Sequence, residues 1–190
     1  MAALGAFNKD GHLDHATQIP QKTYQVKSPL VDGWVDLVRR YQDHFNWYAH
    51  FTFRPNDRVI GLNRHQTTFI HPESAEKALA RLVHGLNRQI FGVRYWKRPQ
   101  EGIIAAVAWE RQKNGNPHAH VLAGNIPENI RRMDVVDHWF EKQGIARVHE
   151  YRKGMGAEEY LAKMAYLFKA GHAEIDLLGP LNHLQGPPAL

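Results

Sequence analysis

Apolar residues recur along the chain with two different spacings. A spacing of three or four residues, typical of a helix with one buried face, occurs in segments 33–45, 72–92, 128–143 and 157–171. Continuous or alternating apolar runs rich in aromatic and β-branched residues, typical of strands, occur in segments 47–53, 101–111, 117–124 and 145–151. The pattern therefore predicts a protein that mixes helices and strands.

The order of these segments predicts the fold class. After an opening helix, the chain runs strand, helix, strand, strand, helix, strand and helix, and a short Gly-Asn turn joins the two middle strands as a hairpin. This order predicts an α+β fold with a ferredoxin-like β-α-β-β-α-β antiparallel sheet, helices packed on one face of it, and an additional C-terminal helix. We expect an N-terminal arm over residues 1–30, one domain over 31–171, and a Pro- and Gly-rich linker or tail over 172–190.

Composition restricts the classes of function. The chain has 190 residues, no cysteine and a net charge of +5, so thiolate chemistry is excluded and an anionic partner such as nucleic acid is plausible. The same modest surplus of positive charge is common in proteins that bind no nucleic acid. Apolar runs are too short to cross a bilayer, and the lack of cysteine is compatible with a reducing cytosol, so we expect a cytoplasmic protein without a membrane partner.

A pair of histidines, His118 and His120, follows the Gly-Asn turn and lies at the start of the third predicted strand. With 13 histidines in 190 residues, about one such pair is expected by chance, so its surroundings must decide. On a strand the two side chains face the same side, and Glu110 ends the neighbouring strand of the hairpin. These three side chains form a candidate site for a divalent metal. Oxygen and nitrogen ligands suit Mn²⁺ or Mg²⁺ best, and imidazole also accepts Zn²⁺, Co²⁺ or Ni²⁺. The alternative is a solvated strand face.

Tyrosine and lysine three residues apart occur at three places in the chain, beginning at Tyr24, Tyr160 and Tyr166. Spacing alone therefore discriminates nothing. Tyr160 and Lys163 lie early in the last predicted helix, which follows a Gly-rich hinge, so this helix can lie across the sheet near the histidine pair.

The motifs, taken in order, resemble the HUH endonuclease superfamily. The motifs are Phe51-Thr52-Phe53, Glu110, Gly115-Asn116-Pro117-His118-Ala119-His120 and Tyr160-Leu161-Ala162-Lys163. Their order is similar to that of rolling-circle replication initiators, and the resemblance covers roughly residues 45–171. It implies metal-dependent nicking and strand transfer on single-stranded DNA, at an origin or a hairpin, through a 5′-phosphotyrosine link. It also implies that host replication proteins are candidate partners.

In the resemblance, Tyr160 is the nucleophile, Lys163 assists it, and a divalent metal, Mn²⁺ or Mg²⁺, lies at His118, His120 and Glu110. Some initiators carry a second tyrosine four residues after the first, where this chain has Met164. Tyr166 lies about 120° away around the helix, so we expect it to pack rather than react. The two readings of Lys163, a phosphate contact or a solvated lysine, stay open.

The predicted loop after the first strand carries basic residues that are candidates to follow a DNA backbone: Arg54, Arg58, Arg64 and His65. Three other functions remain open. A single-tyrosine HUH transposase has the same motifs. A non-catalytic ferredoxin-like nucleic-acid-binding module has the same fold class, although no RNA-recognition consensus is found on a strand. A zinc hydrolase would use water instead of tyrosine.

Overall fold

The computed structural model of the chain describes residues 29–59, 65–68, 70–98, 101–112, 115–168 and 175–179. Its helices are α1 (Pro29–Arg39), α2 (Pro72–Phe91), α3 (Arg132–Lys142) and α4 (Ala157–Phe168). Its strands are β1 (Phe45–Phe53), β2 (Asn56–Val59), β3 (His65–Thr68), β4 (Ile104–Arg111), β5 (Pro117–Gly124), β6 (Gly144–Glu150) and β7 (Ile175–Leu178). The predicted α+β class is confirmed.

Five of the strands form one antiparallel sheet in the order β6-β1-β5-β4-β7, and β2 and β3 pair with each other as a separate hairpin. The predicted hairpin of β4 and β5 is present, with Trp109 opposite Ala119. Three strands, β2, β3 and β7, were not predicted. Because β7 adds a fifth strand to the sheet and β2 and β3 form a separate hairpin, the ferredoxin-like β-α-β-β-α-β order is not confirmed.

Helices cover both faces of the large sheet, whereas the sequence predicted them on one face. Helices α2 and α3 pack on the face that carries Phe51, Val107 and Val121. Helices α1 and α4 pack on the opposite face, against Ile104 and Leu122. This burial on both faces explains why β4 is continuously apolar, because a strand with no solvent-facing side has no need for alternating polar residues.

Two boundaries differ from the predicted ones. Helix α1 begins at Pro29 and ends at Arg39, and Phe45 opens β1 opposite Gly124 instead of closing the helix. Strand β7 lies inside the stretch 172–190 expected to be a linker or tail, and it pairs with β4, with Ile175 opposite Ala108. Residues 1–28 of the predicted arm lie outside the described residues.

The edge strand β6 approaches β1 closely at its first residue, Gly144. A Cβ atom at Gly144 would meet the Thr52 carbonyl oxygen at 2.1 Å, so only glycine fits there. The close contact sets β6 beside Thr52, whose side chain lies on the histidine-bearing face of the sheet. No helix in the described parts of the chain is long and apolar enough to cross a membrane.

Candidate active site

The turn before β5 fixes the histidine pair in the sheet. Gly115 adopts a φ of 86°, a left-handed conformation that favours glycine, and the buried Asn116 side chain donates a hydrogen bond to the Phe53 carbonyl. Strand β5 then runs between β1 and β4, with His118 opposite Thr52 on one side and opposite Glu110 on the other. The two histidines share the face that α1 and α4 cover.

A third histidine, His50, lies on the same face and was given no role from the sequence. It is opposite His120 in the β1–β5 pairing. Its ring centroid lies 4.9 Å from that of His120 and 5.8 Å from that of His118. One ring nitrogen from each of the three lies within 4.8 Å of the others, so they form a group that can hold a metal ion. We call His50, His118, His120 and Glu110 the histidine site.

Each histidine of the sequence pair is oriented by a neighbour. The Thr52 hydroxyl oxygen lies 2.7 Å from Nδ1 of His118, so Nε2 of that ring is left for another ligand. The Glu110 carboxylate accepts a hydrogen bond from Nε2 of His120 at 2.8 Å. Nδ1 of His120 then carries the lone pair, and it is buried without a hydrogen-bond partner in the described part of the chain. A hydrogen bond to the far nitrogen is typical of histidines that bind metals.

Glu110 lies across the β4–β5 hairpin from the histidines, as predicted, and its role as a metal ligand stays a prediction. The sequence placed it as the third metal ligand beside His118 and His120. In the structure its carboxylate contacts His120, and the group of side chains that can hold a metal takes its third nitrogen from His50 instead.

Two imidazoles of the histidine site, those of His50 and His118, favour the neutral form. Burial and the neighbouring His120 and His118 lower the pKa of His50 from 6.5 to about 3. Burial and His120 lower the pKa of His118 to about 4. The hydrogen bond from His120 lowers the pKa of Glu110 below its ordinary value. Neutral rings with free lone pairs next to an ionised carboxylate are the donor set that a divalent cation needs, so the residues fit a metal.

Helix α4 brings Tyr160 next to the histidine site. The Tyr160 ring centroid lies 5.0 Å from that of His120 and 6.5 Å from that of His50. Burial raises the pKa of the Tyr160 phenol above its ordinary value, and the nearby Glu110 carboxylate raises it further. The phenol is therefore protonated at neutral pH. Tyr160 is only partly buried, at the margin of the inward face of α4 that Leu161, Met164 and Ala165 form.

Three further residues of this face were not singled out from the sequence. Tyr48 is buried on β1 with its ring centroid 4.6 Å from that of His50, and burial raises its pKa. On β6, Arg147 is opposite His50, and the ring of His149 lies 6.4 Å from that of His50. Arg147 and His149 are exposed. Only the pairing of β6 with β1, which no local pattern encodes, brings them to the histidines.

The other predicted site residues lie as follows. Lys163 is partly buried on α4, about one turn beyond Tyr160. Arg54 donates a hydrogen bond to the Phe140 carbonyl at 3.0 Å and its guanidinium lies 5.3 Å from the Phe140 ring centroid. The Arg54 side chain is thus directed towards α3. These protein contacts account for its position, so its predicted role in DNA binding stays a prediction. Backbone pairing sets Arg58 opposite Gln66 and His65 opposite Val59. Their side chains lie outside what the structure describes, and so do Arg64, the Tyr166 side chain and Tyr24.

Comparison of the chain with protein-family models, with curated proteins and with solved structures finds no match.

Proposed function

We propose that the protein is a metal-dependent endonuclease and strand transferase of the HUH type, acting on single-stranded DNA through a covalent 5′-phosphotyrosine intermediate. The observation that carries the proposal is the position of Tyr160, whose ring lies 5.0 Å from that of His120 on the face where three histidines and a carboxylate gather. A tyrosine phenol and a candidate cation site thus lie side by side, which supports the proposal.

His50, His118 and His120 would hold the metal, with Glu110 orienting His120. When bound, the metal neutralises the non-bridging phosphate oxygens and makes phosphorus a better electrophile. Three imidazoles favour Mn²⁺ or a later divalent transition metal over Mg²⁺, because Mg²⁺ prefers oxygen ligands and keeps several waters.

Tyr160 supplies the attacking oxygen. Its phenol is protonated before reaction because its pKa is raised, so it must lose that proton as its oxygen bonds to phosphorus. The bond from phosphorus to the 3′-oxygen breaks, and that oxygen gains a proton, so the step is neutral in protons overall. The protein stays linked to the 5′-phosphate and the other product carries a free 3′-hydroxyl.

Arg147 and His149 would meet the phosphates next to the one that is cut. Both are exposed on β6 beside His50, and Arg147 is a fixed positive charge. A single strand of DNA lying along this edge of the sheet would meet the Arg147 cation and the His149 imidazole without covering Tyr160. Unpaired DNA fits better than a duplex, since the scissile phosphate must reach a partly buried phenol.

A second candidate function is a metal-dependent hydrolase in which water attacks, which is the zinc hydrolase that the sequence analysis left open. The three-histidine group favours it, because three imidazoles with an open position also occur in catalytic zinc sites. The two candidates differ in one product, since only attack by tyrosine leaves protein attached to DNA.

The test is an assay for that attachment. Wild-type protein is mixed with Mn²⁺ and an internally labelled single-stranded DNA pool of mixed sequence, and then separated by denaturing electrophoresis. We expect labelled DNA to migrate with the protein, and Tyr160→Phe to abolish that band while DNA binding is kept. Tyr166→Phe, on the same helix, and Tyr24→Phe, which changes the third tyrosine with a lysine three residues later, are controls that should keep it. Cleavage by Tyr160→Phe at the wild-type rate would favour the hydrolase.

A further inference from the structure

The turn that follows α2 exposes aromatic and basic side chains together. We call residues 93–98, with the sequence Val-Arg-Tyr-Trp-Lys-Arg, the aromatic turn. Trp96 is 60% exposed and Val93 is 56% exposed. Of the five tryptophans in the chain, all of them among the described residues, Trp96 alone is exposed. Val93 and Trp96 expose apolar surface within one short turn that also carries basic side chains, and an apolar patch with a polar rim is typical of an interaction site.

Contacts on its inner side hold the aromatic turn in place. The Tyr95 hydroxyl lies 2.8 Å from Nδ1 of His84 on α2, and the Tyr95 ring lies edge-on to Trp96 at 5.8 Å. Arg98 donates to the Phe91 carbonyl and pairs with Glu101 at 2.8 Å. Trp96 is therefore presented on a braced turn, so a ligand that stacks on it would lose little conformational freedom.

Two cations flank the exposed indole. Arg94 and Lys97 are exposed, and within the described residues neither makes an ion pair, whereas Arg98 is neutralised by Glu101. An aromatic face between uncompensated cations suits a base with a phosphate on either side. We propose that the aromatic turn binds single-stranded nucleic acid, with a base stacked on Trp96 and phosphates at Arg94 and Lys97.

The aromatic turn is separate from the histidine site. It lies against the C-terminal end of α2, where the Ile103 amide donates to the Asn87 side chain at 2.7 Å just before β4 begins. Glu110 is at the other end of β4, six residues from Ile104, which is about 20 Å along a strand. A single-stranded nucleic acid that contacts both the aromatic turn and the histidine site must be at least about six nucleotides long, at 3.4 Å per nucleotide. Helix α2 packs on the sheet face opposite the histidines, so the path is longer still.

Binding can be tested without any cleavage, so the failure of this inference and the failure of the proposed nuclease are distinguishable. The probes are unlabelled oligothymidines of about 5 and 20 nucleotides, added to the Tyr160→Phe protein without metal. Loss of one stacked base weakens binding by roughly 5- to 150-fold. We expect Trp96→Ala to weaken binding of the long oligonucleotide within that range and Trp96→Phe to restore most of it. The indole emission that wild type has and Trp96→Phe lacks should be quenched on binding.

The charges have a separate readout. Changing both Arg94 and Lys97 to Ala should reduce the slope of log affinity against log salt by about 1.4, at 0.7 per phosphate contact. Matched controls are Met133→Ala and Arg132→Ala, which remove an exposed apolar and an exposed basic side chain from α3 and should change nothing.

Equal binding of the long oligonucleotide by wild type and Trp96→Ala would overturn the inference. A change of Trp96 emission with anionic lipid vesicles but not with oligonucleotides would also overturn it, and would assign the surface to a membrane instead.

Discussion

At the scale of single residues, the histidine site depends on which ring nitrogen is free. Thr52 contacts Nδ1 of His118, and Glu110 accepts the hydrogen bond from Nε2 of His120. Each contact leaves one nitrogen of its ring for a cation. His50 completes a set of three nitrogens, whereas the sequence prediction had Glu110 as the third ligand; we propose that Glu110 orients His120 instead.

This difference predicts an order of metal affinities. His50→Ala removes a coordinating nitrogen, so it should weaken Mn²⁺ binding, measured by titration calorimetry, more than Glu110→Gln does. Glu110→Gln removes the carboxylate that orients His120, and a loss of about 10- to 100-fold is typical for such a partner. His149→Ala is the control, because that residue is near His50 but not in the group of three. If Glu110→Gln proves the more damaging change, the carboxylate is a ligand after all.

Much of the histidine site could be predicted because it is local. His118 and His120 share a strand face by the two-residue period, and Glu110 lies across one hairpin from them. His50 could not be predicted in this way. It joins the pair through the β1–β5 pairing, which links residues 70 positions apart, and a single histidine in an aromatic strand has no spacing that marks it.

At the scale of elements, the start of α4 decides where Tyr160 lies. The hydroxyl of Tyr151, the residue directly after β6, donates a hydrogen bond to the buried Glu158 carboxylate in the first turn of α4. On the outside, Arg39 of α1 pairs with Glu159, and Lys153 pairs with Asp43. The buried contact should matter most, because water can replace the partners of the exposed ones.

Tyr151→Phe therefore should destabilise the fold more than Arg39→Ala does. Removing the phenol leaves the Glu158 carboxylate buried without its donor, which costs about 2 kcal/mol in the free energy of unfolding. The Arg39–Glu159 pair is half exposed, so its loss should cost less than about 1 kcal/mol. Urea denaturation of the two variants measures both values. Equal losses would mean that the Tyr151–Glu158 contact does not hold α4.

Element types were easier to predict from the sequence than element neighbours. The run of β4 indicated a strand because it is continuous and apolar, but the same run did not indicate that helices cover both of its faces. Strand β7 has four residues in a Pro- and Gly-rich stretch, and its place depends on pairing with a strand about 70 residues earlier. Such pairing is a property of the assembled sheet and not of the local pattern.

At the scale of the whole molecule, burial of the histidine site has a cost in stability. A sheet covered on both faces puts His50 and His118 in surroundings that disfavour a positive ring, so both rings stay neutral well below pH 6.5 in the folded protein. The unfolded chain has no such restraint, and its histidines take up protons near pH 6.5. Without a bound metal, protonation of these histidines in the unfolded chain therefore lowers the free energy of unfolding.

The sign of the resulting pH dependence follows from these two pKa values, about 3 for His50 and about 4 for His118. Between pH 6.5 and about 4 the unfolded state binds protons that the folded state does not, so the free energy of unfolding falls as pH falls. Each such proton contributes up to about 1.4 kcal/mol per pH unit. Urea denaturation in chelator at several pH values measures the slope. His50→Gln should reduce the slope in this window, whereas His138→Gln, which changes an exposed histidine on α3, should leave it unchanged. A slope that is the same in wild type and His50→Gln would mean that His50 is protonated as readily in the folded protein as in the unfolded chain.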